Sequence, residues 1–147
     1  MAKITKASVS DLPKLIPLFD QYRIFYKQPS DLKAAELFLQ ELFRLKECVV
    51  FLAEQDQQAA GFTLLYKTYS SVSMKPYFIL NDLYVAPVFR QAGIGSMLLE
   101  KTQEYCKSLS YKGLALETAV DNPAQKLYEK LGWQKDSHCF HYFWHAK

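Results

Sequence analysis

The sequence predicts an α+β (mixed α/β) fold. Residues 1–147 are expected to form one domain built around a single central sheet. Three observations predict it. The 147 residues suit one domain with a real core, half of them are hydrophobic, and no linker interrupts the helical and strand patterns. The order of these patterns predicts a mixed, mostly antiparallel sheet of six to seven strands flanked by about four helices.

The N-terminal third is predicted to contain one strand followed by two amphipathic helices. Their predicted bounds are Lys3–Ala7 for the strand and about Leu12–Tyr26 and Leu32–Leu45 for the helices. Pro17 should kink or end the first helix, because proline removes a backbone donor. Ser30 or Asp31 should cap the second helix.

Three consecutive strands follow, and we expect them to pair antiparallel. Their predicted bounds are Cys48–Ala53, Ala60–Tyr66 and Tyr77–Val85. The polar turn Gln55–Gln58 should join the first two strands as a hairpin. A polar connection over Tyr69–Pro76 should lead to the third.

The C-terminal half alternates helices and strands. The predicted elements are a helix over about Gly93–Leu109, a strand over Leu114–Thr118, a helix over Asn122–Leu131, and final strands at Trp133–Lys135 and Phe140–Trp144. The strands before and after the first of these helices should be parallel, with a right-handed crossover. The last strand is aromatic, and an exposed aromatic edge predicts a subunit contact in a homodimer.

Composition and charge exclude several classes of protein. The net charge of +3 is mild and no block of Lys and Arg stands out, so nucleic-acid binding is not expected. No apolar run approaches the ~20 residues of a membrane span and no signal pattern is present, so we expect a cytoplasmic protein. The three separated cysteines predict neither disulfides nor a zinc site, and the histidine spacing predicts no metal.

A glycine-containing loop follows the third of the consecutive strands. The loop reads Arg90-Gln91-Ala92-Gly93-Ile94-Gly95-Ser96 and leads into a helix, an arrangement that holds anions through converging N–H groups and the helix dipole. It is not a nucleotide-hydrolysing loop, because Gly95 is followed by Ser96-Met97 instead of Lys and Ser or Thr. It also lacks the third glycine of a dinucleotide fold, since position 98 is Leu.

A second motif follows the next strand: Asn122-Pro123-Ala124-Gln125-Lys126-Leu127-Tyr128-Glu129-Lys130-Leu131-Gly132-Trp133. Asn122 and Pro123 suit the start of a helix, and Gly132 suits its end. Tyr128 shares a helical face with apolar residues but ends in a hydroxyl group. It is either a core aromatic residue or a functional one.

Together the two motifs resemble the GNAT superfamily of N-acetyltransferases, most of all small-amine enzymes of the polyamine type and yeast-type histone/polyamine acetyltransferases. The resemblance rests on the second motif and on Leu83-Tyr84-Val85-x-Pro87-x-x-Arg90-x-x-Gly93-Ile94-Gly95-x-x-Leu98-Leu99. It implies that acetyl-CoA is the co-substrate and that no metal is needed. It also implies transfer of the acetyl group to a primary amine of a small molecule by direct attack in a ternary complex.

The resemblance assigns roles to the residues of both motifs. The backbone of Leu83, Tyr84 and Val85 would pair with the pantetheine arm, and the loop from Arg90 to Ser96 would hold the pyrophosphate. Asn122 would contact pantetheine, although the shorter spacing to Ala124 leaves Asp121 as an alternative. Tyr128 would act as the general acid that protonates the leaving thiolate.

The general base is less clear, because Asn81 stands where many relatives have a carboxylate. Asp82 is the catalytic base we favour, yet in a regular strand it would point away from the Asn81 side unless a bulge intervenes. Glu117 and a water-mediated route are the alternatives. Asn81, Glu117 and the tyrosines Tyr22 and Tyr26, one helical turn apart, are predicted to bind the amine substrate.

Two other functions remain compatible with these motifs. A non-catalytic acyl-CoA-binding sensor would use the same loop, but it would have no need of Tyr128 as an acid. A protein-lysine acetyltransferase would use the same chemistry, but no acidic run in the sequence marks a basic-peptide site.

Overall fold

The computed structural model of the chain describes residues 1–146 and divides it into two compact units, Met1–Glu117 and Thr118–Lys147. The first unit holds a five-stranded sheet and three α-helices, and the second holds one short helix. A mixed α/β fold with four helices is therefore confirmed for the described residues, with five strands instead of the predicted six to seven. None of the described helices is long and apolar enough to cross a membrane.

The elements follow the predicted order through the first unit. The strands are β1 Lys3–Lys6, β2 Val49–Gln55, β3 Gln58–Ser70, β4 Lys75–Val85 and β5 Leu114–Ala115. The helices are α1 Leu12–Phe25, α2 Leu32–Arg44 and α3 Ile94–Ser108, with α4 Gln125–Lys130 in the second unit. Two short 3₁₀ turns, Val9–Asp11 and Pro87–Phe89, precede α1 and α3.

The sheet has the strand order β1-β2-β3-β4-β5. The first three pairings are antiparallel, as predicted, and β4 pairs with β5 in parallel through Phe78↔Leu114 and Ile79↔Ala115. This parallel pairing was also predicted, although β5 is shorter than the expected Leu114–Thr118. β4 is therefore covered by β5 only in its first half.

The prediction of a polar connection over Tyr69–Pro76 is wrong. β3 runs on to Ser70 and β4 begins at Lys75, and Tyr69 lies opposite Pro76. The two strands satisfy each other's backbone hydrogen bonds there, so the hairpin extends without needing apolar side chains.

The expected effect of Pro17 on the first helix is also not fully realised, because α1 continues through it to Phe25. Leu15, Leu18 and Phe19 are buried on either side of this proline. Burial of such side chains offsets the loss of one helical hydrogen bond. The second helix is capped by Asp31, whose Oδ1 accepts a hydrogen bond from the Ala34 N–H at 3.0 Å.

Helices cover both faces of the sheet. On one face α1 and α2 pack over a core that includes Leu15, Leu39 and Phe62. On the other face α3 packs against β2, β3 and β4. A buried hydrogen bond between the hydroxyl groups of Thr63 and Thr102 (3.2 Å) joins β3 to α3.

The two predicted C-terminal strands, Trp133–Lys135 and Phe140–Trp144, are wrong for the described residues, which have no strand after β5. Phe140, Tyr142 and Trp144 are exposed instead of forming a core face. An aromatic run has strand propensity, but a strand also needs a partner that satisfies its backbone groups.

Candidate active site

A β-bulge at Asn81 shapes the middle of β4. In the β3–β4 register Leu64 lies opposite Asp82 and Leu65 lies opposite Leu80, so Asn81 is the extra residue. Because side chains alternate with a period of two, one extra residue moves all later side chains to the opposite face.

Ring contacts on the two sides of the bulge demonstrate this change of face. Phe78, before the bulge, stacks on Tyr105 of α3 with ring centroids 5.9 Å apart. Tyr84, six positions later, instead contacts Tyr22 of α1 at 6.1 Å. Asp82 lies two residues before Tyr84 and therefore belongs to the α1 face.

Asn81 and Asp82 consequently share one side of β4. The Asn81 amide Nδ2 donates to Asp82 Oδ1 at 3.1 Å, and Asp82 is buried while Asn81 is exposed. Burial raises the pKa of Asp82 above its ordinary value, and hydrogen bonds from Tyr22 and Asn81 offset part of this rise. A buried carboxylate with a raised pKa is a suitable proton acceptor.

Two tyrosines, Tyr22 and Tyr66, interact with the Asp82 carboxylate. The Tyr22 hydroxyl hydrogen-bonds to it and also lies 3.5 Å from the Asn81 carbonyl oxygen. Burial, with smaller effects from the charges of Asp82 and Cys48, raises the pKa of Tyr66 to about 12. The Tyr66 phenol therefore stays protonated near neutral pH and can act as a hydrogen-bond donor.

Beyond the bulge, β4 has an edge that β5 does not cover. The Ala86 N–H donates to the Ala60 carbonyl of β3, so the backbone groups of Tyr84 and Ala86 face β3. Those of Leu83 and Val85 must then point to the opposite edge, because these directions alternate along a strand. β5 pairs only with Phe78 and Ile79.

Gly61 holds β3 close to this part of β4. A Cβ atom at Gly61 would lie 2.6 Å from the Tyr84 carbonyl oxygen and 3.2 Å from the Val85 Cα. Only glycine permits this approach of the two backbones. From the sequence, Gly61 was expected only to be one residue of a strand.

The Gly loop, defined as Arg90–Ser96, leads from β4 into α3. Its backbone passes through the left-handed region twice, at Gln91 (φ 64°) and at Gly93 (φ 82°), and Gly93 caps the helix. Alternation of this kind turns successive N–H groups toward one side and favours an anion there. The first N–H groups of α3 add to the same field.

Arg90 folds back from the Gly loop onto β4. Its Nε donates to the Val85 carbonyl oxygen at 2.8 Å. Its guanidinium carbon lies 5.5 Å from the ring centroid of Tyr84 and 5.8 Å from that of Phe25. Arg90 therefore connects the Gly loop with the end of α1.

The end of α1 and β4 together form an aromatic wall, which we define as Tyr22, Phe25, Tyr26 and Tyr84. Ring centroids are 5.0 Å apart for Tyr22 and Tyr26, and 5.2 Å apart for Phe25 and Tyr26. The predicted pair Tyr22–Tyr26 is thus brought into contact, and Tyr22 is the member that reaches Asn81 and Asp82. Phe25 was predicted to lie at the end of a helix, but the sequence contained no signal of a functional role for it.

Asp20, which the sequence analysis did not single out, fixes the loop between α1 and α2. It is buried, and its two oxygens accept hydrogen bonds from the Ser30 hydroxyl (2.6 Å) and the Asp31 N–H (2.8 Å). One sequence signal was available: Asp20 follows Ile16 by four positions and so lies among the apolar side chains of α1.

The remaining predicted site residues lie near or beyond the end of the first unit. Glu117 follows β5 and is exposed. In the second unit Asn122 Oδ1 accepts from the Ala124 N–H at 2.9 Å. The helix α4 begins at Gln125, three residues after the predicted start at Asn122. Tyr128 lies on α4 with its ring 5.7 Å from that of Trp133. The roles of Glu117, Asn122 and Tyr128 remain predictions.

A cavity of about 590 Å³ lies elsewhere in the first unit. Its mostly apolar lining comes from α1, the start of β3 and the segment after β4, and includes Pro17, Ala59 and Phe89. Neither Asp82 nor Tyr22 lines it, so it is distinct from the site described above. Among residues 1–146, no three His, Cys, Asp or Glu side chains are grouped as metal ligands.

Comparisons with known proteins identify the family. Residues 14–133 match the model of the acetyltransferase (GNAT) family. The chain is 44% identical over 140 residues to an uncharacterized N-acetyltransferase, YhfO, of Bacillus subtilis strain 168, covering 95% of this chain and 94% of that protein.

Two crystal structures share the fold. A probable acetyltransferase superposes with a TM-score of 0.92 at 34% identity, covering 99% of this chain and 98% of that one. The aminoglycoside N-acetyltransferase AAC(6')-Iy in complex with CoA gives a TM-score of 0.83 at 21% identity, with 99% and 96% covered.

Proposed function

The chain belongs to the acetyltransferase (GNAT) family and is an acetyl-CoA-dependent N-acetyltransferase, and we propose that its acceptor is a primary amine of a small molecule. In this proposal the amine attacks directly in a ternary complex. The observation that carries it is the buried Asp82 carboxylate, which the bulge at Asn81 turns toward the α1 face beside the uncovered edge of β4.

The residues present fit acetyl-CoA. The backbone groups of Leu83 and Val85 point to the edge of β4 that β5 does not cover, and they suit the amides of a pantetheine arm. The N–H groups of the Gly loop and the first turn of α3 suit a pyrophosphate. The family resemblance also assigns a pantetheine contact to Asn122, or to Asp121 beside it.

Each residue has a chemical task in this proposal. Acetyl-CoA, when bound, supplies a thioester carbonyl that the amine can attack and a thiolate that leaves. Asp82 accepts the proton that the ammonium group must lose, directly or through water, and Tyr22 and Asn81 hold its carboxylate in place. Tyr128 donates its phenolic proton to the leaving sulfur.

Arg90 has a different task at the cofactor edge. Its Nε already donates a hydrogen bond to the Val85 carbonyl oxygen. A pantetheine arm would use the carbonyl groups of Val85 and Leu83. We infer that pantetheine pairs with the Val85 N–H and the Leu83 groups, or else displaces Arg90 toward the phosphates.

A thiol-release assay with a panel of amines tests the proposed function. The expected result is turnover with at least one small primary amine, together with a large loss in Asp82→Asn and in Tyr128→Phe. Acetyl-CoA binding without turnover on any small amine would contradict the proposal. Faster acetylation of a lysine-containing peptide than of every small amine would favour a protein substrate instead.

A homodimer in the cytoplasm completes the proposal. Support for the dimer comes from the exposed aromatic side chains of Phe140, Tyr142 and Trp144. Light scattering on the purified chain should give twice the monomer mass. The mass of a monomer at all concentrations would contradict the dimer while leaving the chemistry intact.

A further inference from the structure

We propose that the acceptor is a monocationic amine carried on an aromatic or other flat apolar body, and that polycationic amines are poor substrates. This inference rests on the proposed function and names the substrate class of the same site. It follows from the aromatic wall, from its continuity with Asp82, and from the distribution of charge around it.

The aromatic wall is exposed at its outer end and buried at its inner end. Phe25 and Tyr26 are 55% and 45% exposed, while Tyr84 is only 7% exposed. The rings of the wall meet edge to face or tilted, and aromatic rings that face solvent are costly unless a ligand covers them. The wall presents ring faces and edges, which suit a flat apolar body.

Tyr22 joins this wall to the proton acceptor. Its ring contacts Tyr26 at 5.0 Å and Tyr84 at 6.1 Å, and its hydroxyl group hydrogen-bonds to Asp82. An amine bound at Asp82 would therefore have its carbon body directed along the wall.

The wall contacts charged groups of both signs: the Asp82 carboxylate hydrogen-bonds to Tyr22, and the Arg90 guanidinium lies over the rings of Tyr84 and Phe25. Asp82 is the carboxylate in contact with the wall, whereas both oxygens of Asp20 are taken by the α1–α2 loop. Asp31 is exposed, and its Oδ1 caps α2 by accepting from the Ala34 N–H.

A second positive charge on the ligand would instead meet Arg90. The guanidinium of Arg90 already lies over the rings of Tyr84 and Phe25, where an additional cation would otherwise bind. Like charges this close are mutually unfavourable. The arrangement therefore discriminates against polycations, including aminoglycosides and polyamines.

The experiment compares matched acceptors on the full-length chain at saturating acetyl-CoA. The panel contains 2-phenylethylamine and tryptamine as aryl monoamines, n-butylamine as a monoamine without a ring, and spermidine and neamine as polycations. We expect kcat/KM for the aryl monoamines to exceed that of n-butylamine about three- to tenfold, the value of one aromatic contact. We expect spermidine and neamine to fall below n-butylamine.

Variants at the exposed end of the wall separate recognition from folding. Tyr26→Ala should raise the KM for 2-phenylethylamine about three- to tenfold and raise that for n-butylamine less, because n-butylamine has no ring to contact the wall. Tyr26→Phe keeps the ring and should raise the KM for 2-phenylethylamine less than Tyr26→Ala does. Ile24→Ala is the matched control, since Ile24 is 48% exposed on the same helical turn and lies outside the wall.

Two results would overturn the inference in distinguishable ways. Higher kcat/KM for spermidine or neamine than for the aryl monoamines would refute the substrate class and leave the proposed function standing. Absence of turnover with every amine, despite acetyl-CoA binding measured by calorimetry, would refute the proposed function and this inference with it.

Discussion

The Gly loop and the aromatic wall meet at β4, yet they are built on different principles. The Gly loop acts through backbone N–H groups, which left-handed residues at Gln91 and Gly93 turn outward. The aromatic wall and Asp82 act through side chains, which a bulge and a helix end bring together. A backbone site depends on a few local dihedral angles, whereas a side-chain site depends on which distant elements pack against each other.

Among the side chains of the site, removal of the Asp82 carboxylate should cause the largest loss of activity. We expect Asp82→Asn to lower kcat/KM for the amine about 10²- to 10⁴-fold at pH 7, the usual contribution of a general base. The loss should narrow toward pH 10, because the unprotonated fraction of a simple amine rises about tenfold per pH unit below its pKa.

Kinetics with each substrate varied separately would check this expectation. The KM for acetyl-CoA should stay at the wild-type value in Asp82→Asn. A loss of activity that is equal at all pH values would show that Asp82 does not accept the proton. Glu117 or a water-mediated route would then be the candidate for the general base.

Gly61 packs against the part of β4 to which both the Gly loop and the aromatic wall connect. Its substitution should therefore lower the stability of the fold. In Gly61→Ala the new Cβ would lie 2.6 Å from the Tyr84 carbonyl oxygen. We expect a loss of about 1–3 kcal/mol in the free energy of unfolding, as for other overpacked positions. Urea denaturation measures it. Gly113→Ala is the control, because nothing lies within 4 Å of a Cβ there; equal stability of the two variants would contradict the close approach.

A substitution at Gly93 tests the backbone conformation of the Gly loop alone, because a Cβ there would meet no atom within 4 Å and would cause no steric clash. Its φ of 82° is the constraint, and an alanine in the left-handed region costs about 1–2 kcal/mol. We expect Gly93→Ala to raise the KM for acetyl-CoA about tenfold and to leave the KM for the amine unchanged. Gly93→Asn should be milder, because asparagine tolerates this conformation. An increase confined to the amine KM would refute the assignment of this loop to the co-substrate.

The smallest expected effect is a change in thermal stability when the Asp82 carboxylate is removed. Burial raises the pKa of Asp82 above its ordinary 3.8, so the folded state holds this proton more tightly than the unfolded chain does. Stability from Asp82 is therefore present below pH 3.8 and is lost as pH rises through the raised pKa. We expect Asp82→Asn to melt a few degrees above the wild type at pH 7, with the difference shrinking toward pH 4. Calorimetry across this range checks it, and a lower melting temperature at pH 7 would contradict the sign.

Much of the fold could be predicted because its signals are local. Apolar periodicity located α1, α2 and α3, and the turn between β2 and β3 has two left-handed residues, Asp56 and Gln57, as a tight polar turn requires. The errors concern pairing. The hairpin beyond Tyr69 is polar, and the Phe140–Trp144 stretch is aromatic, yet the first forms strands and the second does not. Backbone partners decide such cases, and the composition of one segment does not reveal them.

By itself, the sequence determined the family and the Gly loop. Glycine at position 93 and the helix that follows it are visible in the order of residues, because a left-handed dihedral angle restricts residue type directly. Only the tertiary structure decided which face Asp82 occupies. Its side chain turns toward Tyr22 because one extra residue, Asn81, shifts the register against β3, and register is a property of two strands that no single stretch of sequence encodes.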